Sequence, residues 1–339
     1  MVDKNKPADL PCTFHFHGAD SEWEELVQLY RDEFWGHSDE THWIFRAEKR
    51  RKKDNHKNIL ESDEEKGVTR SNSEAYKVEN KGGSYFQTSL DKAFASFEPY
   101  KVDENGKRYT RHDLEMSLLR EFQRKAHHHL RHVPRMDNSL EWLTLMQHYK
   151  APTRLLDWTY SFYVSVFFAV TRLDCNKEYA EVWGANAAWI GDSEKKIYRT
   201  RKLKRLAKRR KQDPINMDEL HNAILEVFLK SGKKLVTNLN SFRLNDRLII
   251  QQGTFLVQGD IDVSFDENLK EMGESAKLKE QMHRIVIDIT GDKRKRILQE
   301  LHRMNINNAT LFPGLEGFAE SVGTQLAYPE KFGIPKKKA

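Results

Sequence analysis

Residues 147–170, QHYKAPTRLLDWTYSFYVSVFFAV, set a polar, turn-rich cluster directly ahead of an almost wholly apolar segment. Pro152 cannot occupy a helix interior, so the periodic run before it (Leu140, Leu143, Met146, Gln147) is expected to stop near Tyr149. A turn follows. Asp157 and Thr159 are both candidate N-caps for a second helix, whose body carries Phe162, Tyr163, Val166, Phe167 and Val170. Apolar neighbours on nearly every side make that helix buried all round. A strand over 164–170 is the alternative, because periodicity separates short apolar runs poorly. The run is shorter than the about 20 apolar residues of a membrane span, so it reads as a core element of a soluble domain. The turn Thr153-Arg154-Leu155-Leu156-Asp157 is then pinned beside the core. Its Arg154 and Asp157 either pair with each other or present a guanidinium to an anion.

The chain has 339 residues, enough for one large domain or two ordinary ones, and nothing in it reads as a flexible interdomain linker. Two cysteines, Cys12 and Cys175, do not make a disulfide framework, and the first residues lack the apolar core of a signal peptide. A cytoplasmic protein is expected. The net charge of +6 is local: Lys195–Lys211 holds eleven Lys or Arg and no acid, which leaves the rest of the chain net acidic. That stretch has only a weak apolar stripe in Ile197, Leu203, Leu206 and Ala207. It reads either as a solvated helical face or disordered arm, or as a phosphate-backbone contact through Lys202, Lys204, Arg205, Lys208 and Arg209.

Outward from the central stretch, Ser21 and Glu24 form a capping box for a helix bearing Trp23, Leu26, Val27, Tyr30 and Phe34. Residues 42–47 read as a short strand ending at an arginine, and 49–83 as a charged, exposed or disordered insertion. A helix over 111–128 places Leu114, Leu118, Leu119 and Phe122 on one side and ends in His127, His128 and His129. Adjacent helical positions do not converge on one point, so no metal site is expected there. A further helix starts near Asn216. Residues 248–257, LIIQQGTFLV, read as strand, Gln-Gln-Gly kink and second strand, and 284–289 as another strand. The last clear helix carries Ile297, Leu298, Leu301 and Met304, and 311–317, LFPGLEG, reads as a closing turn. Helices in the first half and strands in the second suggest α+β, with helices around a mixed or antiparallel sheet.

Four separated pieces resemble the FRG domain, a bacterial and phage family named for a Phe-Arg-Gly motif. Phe45-Arg46-Ala47 stands where that motif belongs. Gln147-His148-Tyr149 with Pro152-Thr153-Arg154-Leu155-Leu156-Asp157-Trp158-Thr159 resembles the central signature, Gln251-Gln252-Gly253-Thr254-Phe255 the downstream one, and Leu311-Phe312-Pro313 with Gly317 the last. The domain is expected over 42–325, after a helical lead-in at 1–41, with a basic insertion at 191–235 and a basic tail at 326–339. Ala47 and Lys150 depart from the family's glycines. Lysine at a positive-φ helix C-cap costs about 1 kcal/mol relative to glycine, and alanine in a glycine-only conformation would displace Arg46.

The order of these motifs is similar to that of ADP-ribosyltransferases, and this likeness implies a split sheet whose two parts form a cleft for NAD+. It gives Phe45, Arg46 and Ala47 the ribose or phosphate and the nicotinamide amide, Thr153, Arg154, Asp157 and Gly253 the cofactor walls, and Gln251 or Gln252 the position of the late catalytic glutamate. Glutamine offers a dipole where the oxocarbenium-like transition state asks for a carboxylate, so Asp157 entering the site is one remedy. His148 is the motif histidine and orients substrate or acts as a base. The function implied is NAD+-dependent ADP-ribosyl transfer to a nucleic acid or protein, as a toxin or phage-defence effector. Two alternatives remain, a nucleic-acid-binding module using 195–211 and a metal-independent nuclease or hydrolase using His148 and Asp157.

Overall fold

Residues 12–16, 22–35, 42–51, 69–71, 85–97, 109–171, 178–193, 197, 201–209, 214–240, 246–273, 278, 280–287, 289 and 292–324 are described in a computed structural model. The strands are β1 (Cys12–Phe16), β2 (Trp43–Arg51), β3 (Thr69–Ser71), β4 (Leu155–Thr159), β5 (Glu178–Asn186), β6 (Val236–Leu239), β7 (Gly253–Gln258) and β8 (Met282–Ile287). The helices are α1 (Glu22–Glu33), α2 (Ser89–Phe97), α3 (Arg111–Ala126), α4 (Ser139–His148), α5 (Phe162–Val170), α6 (Ala187–Ser193) and α7 (Arg201–Arg209). They continue with α8 (Pro214–Ser231), α9 (Asp246–Ile250), α10 (Phe265–Lys270), α11 (Lys293–Arg303), α12 (Asn308–Leu311) and α13 (Leu315–Thr324).

The class is α+β, as the sequence suggests, with all strands in one sheet of order β3-β1-β8-β5-β2-β4-β7-β6. From β8 to β6 every pairing is antiparallel, while β1 adds to β8 in parallel. Two strong ladders meet at a weak joint. β2 pairs with β5 from Trp43 to Arg51 and β4 with β7 from Leu155 to Thr159, but β2 and β4 share only Phe45↔Thr159. The split sheet expected from the motif order is therefore one sheet with a seam.

Side chains alternate across a strand, and β2 uses this to divide two cores. Ile44 packs with Trp142, Leu143, Trp183, Leu220 and Phe228, while its neighbour Phe45 packs with Leu26, Phe34, Phe162, Val166 and Ile297. The lead-in helix α1 thus covers one face, as expected. The segment 191–235 is no peripheral insertion, because Leu220, Ile224, Leu225 and Phe228 of α8 belong to the larger core. The weak stripe of α7 is buried as well: Leu203 and Leu206 are covered, which leaves Lys204, Arg205 and Lys208 exposed.

Local chemistry accounts for the boundaries of 139–171. Asn138 caps α4 by accepting from the Glu141 N–H at 3.1 Å. At its far end the N–H of Ala151 donates to Met146 O and that of Lys150 to Gln147 O, the Schellman pattern, with Lys150 at φ 63°. The left-handed residue is thus a lysine in a place that suits glycine. Lys150→Gly is expected to raise stability by about 1 kcal/mol; chemical denaturation is the measurement, and no gain would mean that the strain is relieved elsewhere. Asp157 and Thr159 do not cap α5. They lie in β4, and Ser161 is the cap, accepting from the Val164 N–H. The two-residue offset arises because the apolar Leu155, Leu156 and Trp158 are held in the sheet by β7. The apolar run itself is the buried helix, and the strand alternative over 164–170 fails.

Several expectations give way to long-range pairing. Residues 248–250 are helical: Gln251 N–H donates back to Arg247 O and Gln252 N–H to Ile249 O, so the chain turns before β7 instead of running extended. The strand from 42 continues to Arg51, and Thr69–Ser71 pairs with β1, so part of 49–83 is in the sheet. The rest of that segment, Ser21 and the tail 326–339 lie outside the described residues. A helix, α13, follows LFPG, and the strands are not gathered in the second half, since β1–β4 all precede residue 160. His127–His129 form an exposed 3-10 turn. No helix among the described residues is long and apolar enough to cross a membrane.

Candidate functional site

Beyond Phe45↔Thr159 the two strands part, and the ladder groups facing the gap need other partners. Arg46 supplies one: its Nη1 donates to the backbone oxygen of Asp157 at 2.6 Å, while its Nε donates to Glu48 Oε1 at 2.7 Å. Its ion-pair partner is thus Glu48, and it meets Asp157 through the backbone only. Ala47 lies in regular strand opposite Val182 and is not at positive φ, so the missing glycine does not displace the arginine. A cavity of about 230 Å³ opens at this seam, lined by Phe45, Arg46 and Ala47 of β2 and by Asp157, Trp158 and Thr159 of β4. Thr144, Gln147 and His148 of α4, Phe168 of α5, Arg247 and Leu248 of α9, Gln251, Gly253 and Phe255 complete it. It is smaller than the roughly 300–1,000 Å³ of sites that enclose a drug-sized ligand.

The two halves of the central motif are joined by a hydrogen-bond chain. Thr153 is fully buried and anchored by its N–H to Ser89 Oγ at 2.9 Å. Its hydroxyl donates to Gln147 Oε1, and Gln147 Nε2 donates to Asp157 Oδ2 at 2.9 Å. A threonine outside the cavity therefore fixes the amide orientation of Gln147, and Gln147 aims an exposed carboxylate. His148, on the next position of α4, also lines the cleft. Burial, and after it the positive charge of Arg247, hold its imidazole below the usual range, so it is neutral at pH 7.

Arg247 is the residue that sequence reading missed. Its guanidinium lies 4.8 Å above the Phe312 ring, and it has no carboxylate partner among the described residues. No spacing signals it, since Phe312 comes from the distant LFPG segment. That segment is held close by Gln251, which is buried and donates Nε2 to Leu311 O at 2.9 Å. Gly317 fits beneath it, where an added Cβ would sit 1.9 Å from Phe312 O. Gln251 lines the cavity, with one Nε2 hydrogen donated to Leu311 O. Gln252, at φ 48°, is exposed and outside the cleft, and its carbonyl accepts from the Tyr160 N–H. At Gly253 an added Cβ would come within 2.5 Å of Leu248 Cδ2, so a larger residue would push that side chain aside.

Arg154 is not a cleft residue. It is 1 % exposed and pairs with Glu115 of α3 through Nε and Nη2, while Nη1 donates to the carbonyls of Phe228, Gln258 and Gly259. Neither of the two roles the sequence offered it holds, pairing with Asp157 or facing an anion. One signal was present: Glu115 lies one turn before Leu119, on the buried side of α3. The seam thus brings together Phe45, Arg46, Ala47, His148, Asp157, Gln251 and Gly253. It leaves out Thr153, Arg154 and Gln252, and Lys204, Arg205 and Lys208 stand elsewhere, on α7. The side chains of Lys202 and Arg209 lie outside the described residues. No group of three or more metal-ligating side chains occurs among the described residues.

Residues 88–178 match the FRG domain family. The matched stretch holds α2, α3, α4, β4 and α5, and with them the Thr153–Gln147–Asp157 chain, whereas β2, α9 and the LFPG segment lie outside it. Neither the curated proteins nor the solved structures contain a match to the chain.

Proposed function

From the premise that residues 88–178 are an FRG domain, we propose that the seam cleft binds NAD+ and breaks its nicotinamide–ribose bond, with transfer of ADP-ribose to an acceptor. The observation that carries this reading is an exposed carboxylate, Asp157, aimed by Gln147 into a cleft that also holds two guanidinium groups. The bond between the nicotinamide nitrogen and ribose C1′ breaks with its electron pair leaving on nicotinamide. Positive charge grows on the ribose, and preorganised negative charge beside it is usually the largest catalytic contribution. Asp157 supplies that charge and takes the proton of the incoming nucleophile, an acceptor group or water. Arg46 holds the floor of the cleft open by occupying the gap between β2 and β4.

Incubation with NAD+ labelled on the adenylate, with and without cell extract, tests the reading. Release of nicotinamide with label transfer supports it; neither release nor NAD+ binding would remove it. Growth arrest on expression, relieved by Asp157→Asn, is the expected sign of a toxin or phage-defence effector.

The exposed Lys204, Arg205 and Lys208 favour a nucleic acid as acceptor or as the ligand of a binding module. Reversing these three charges is then expected to weaken RNA or DNA binding and flatten its salt dependence by about three phosphate contacts. Salt-independent binding of the wild-type chain counts against this.

A further inference from the structure

Arg247 presents a cation that no carboxylate among the described residues neutralises, and cations of that kind are normally paired. Among the described residues the charged groups around His148 are Arg247 from α9, Asp157 from β4, held by Gln147, and Arg46 from β2, held by Glu48. The carboxylates are thus engaged with partners other than Arg247. The Phe312 ring backs its guanidinium at 4.8 Å, and a guanidinium supported in this way keeps its forked N–H donors for an anion such as a phosphoryl group. Leu311 and Gln251 lock the segment that carries Phe312, so the platform is rigid.

We propose that Arg247 on its Phe312 platform is a phosphoryl-binding subsite of the cleft, and that an anion seated there brings a proton onto the adjacent His148. The ligand class is a phosphate ester or pyrophosphate. Its natural identity as the pyrophosphate of NAD+ rests on the function proposed above, whereas the subsite itself does not. Burial and then the Arg247 charge disfavour imidazolium at His148. An anion offsets that charge, so the bound state holds His148 protonated to higher pH than the free state does. The bound form therefore carries more protons between the two values, and by linkage affinity rises as pH falls through that interval. His148 in its charged form adds a second donor to the anion.

The test uses the full chain with ADP-ribose, which lacks nicotinamide, and with adenosine, which lacks phosphate. Calorimetry is expected to show ADP-ribose binding at least tenfold tighter than adenosine, with a binding heat that varies with the ionisation enthalpy of the buffer, as proton uptake requires. Arg247→Gln is expected to weaken ADP-ribose binding by about tenfold to a hundredfold without affecting adenosine. Arg247→Lys keeps the charge but loses the fork, so it is expected to weaken binding while leaving the His148 titration of the free protein low. NMR titration of the His148 ring in wild type is expected to move up on adding ADP-ribose, and to start higher in Arg247→Gln. Equal binding of ADP-ribose by wild type and a folded Arg247→Gln overturns the subsite, as does a His148 titration blind to the ligand. ADP-ribose binding through Arg247 without any cleavage of NAD+ upholds the subsite and sinks the NAD+ reading instead.

Discussion

Asp157→Asn is expected to lower the rate of nicotinamide release roughly 10²- to 10³-fold, the scale of removing one preorganised electrostatic contact from a transition state. The substitution is nearly isosteric and keeps an oxygen able to accept from Gln147 Nε2, so the fold and NAD+ affinity are expected to persist. The loss falls on kcat, because the lost interaction is with charge that develops only as the glycosidic bond breaks. Gln147→Leu is the companion variant. It leaves the carboxylate present but unaimed, and a smaller fall in kcat is expected. If Asp157→Asn retains wild-type kcat, the carboxylate of the reaction lies elsewhere.

The second large effect is on stability. Glu115→Ala is expected to destabilise the protein by about 3–5 kcal/mol, the cost of leaving a buried charge without its partner. The Arg154 side chain is 1 % exposed, and it ties α3 to the carbonyls of Phe228, Gln258 and Gly259. Removing Glu115 leaves the guanidinium with those three carbonyls alone. Replacing both residues by apolar groups of similar size, Glu115→Leu with Arg154→Met, is expected to recover most of the loss, because no charge is then buried. Denaturation curves of the two variants decide this. A cost below about 1 kcal/mol for Glu115→Ala is the behaviour of an exposed pair and would contradict the buried bridge. A parallel bridge, Arg284 to Glu181, crosses between β8 and β5.

How much was legible follows the range of the interactions. The end of α4 at Tyr149 and the buried run 162–170 were readable because proline sterics and apolar density act within a few residues. Lys150 was legible as a left-handed cap through the resemblance, whose pattern has glycine there. The nature of 155–159 was not. Its alternation of apolar and polar residues becomes a strand only when β7 pairs with it, and β7 is nearly a hundred positions away in the chain. Residues 248–250 failed in the opposite direction: Ile249 and Ile250 look like core strand residues, yet both are exposed on α9. His148, Asp157 and Gln251 all line the one cleft, as their motifs suggested, and Gln251 in addition ties the Leu311 segment to it.

By itself the sequence determined the α+β class, the helices on either side of the central motif and the polar cluster that becomes the cleft wall, since caps, periodicity and turn chemistry are local. Only the tertiary structure decided which arginines are buried in an ion pair and which line the cleft. Arg154 lies inside the motif and is neutralised by Glu115, 39 residues upstream. Arg247 belongs to no motif and is left facing the cleft because Phe312 gives it a ring and no carboxylate. An arginine's role depends on which partner reaches it first, and those partners are set by chain packing that no local spacing encodes.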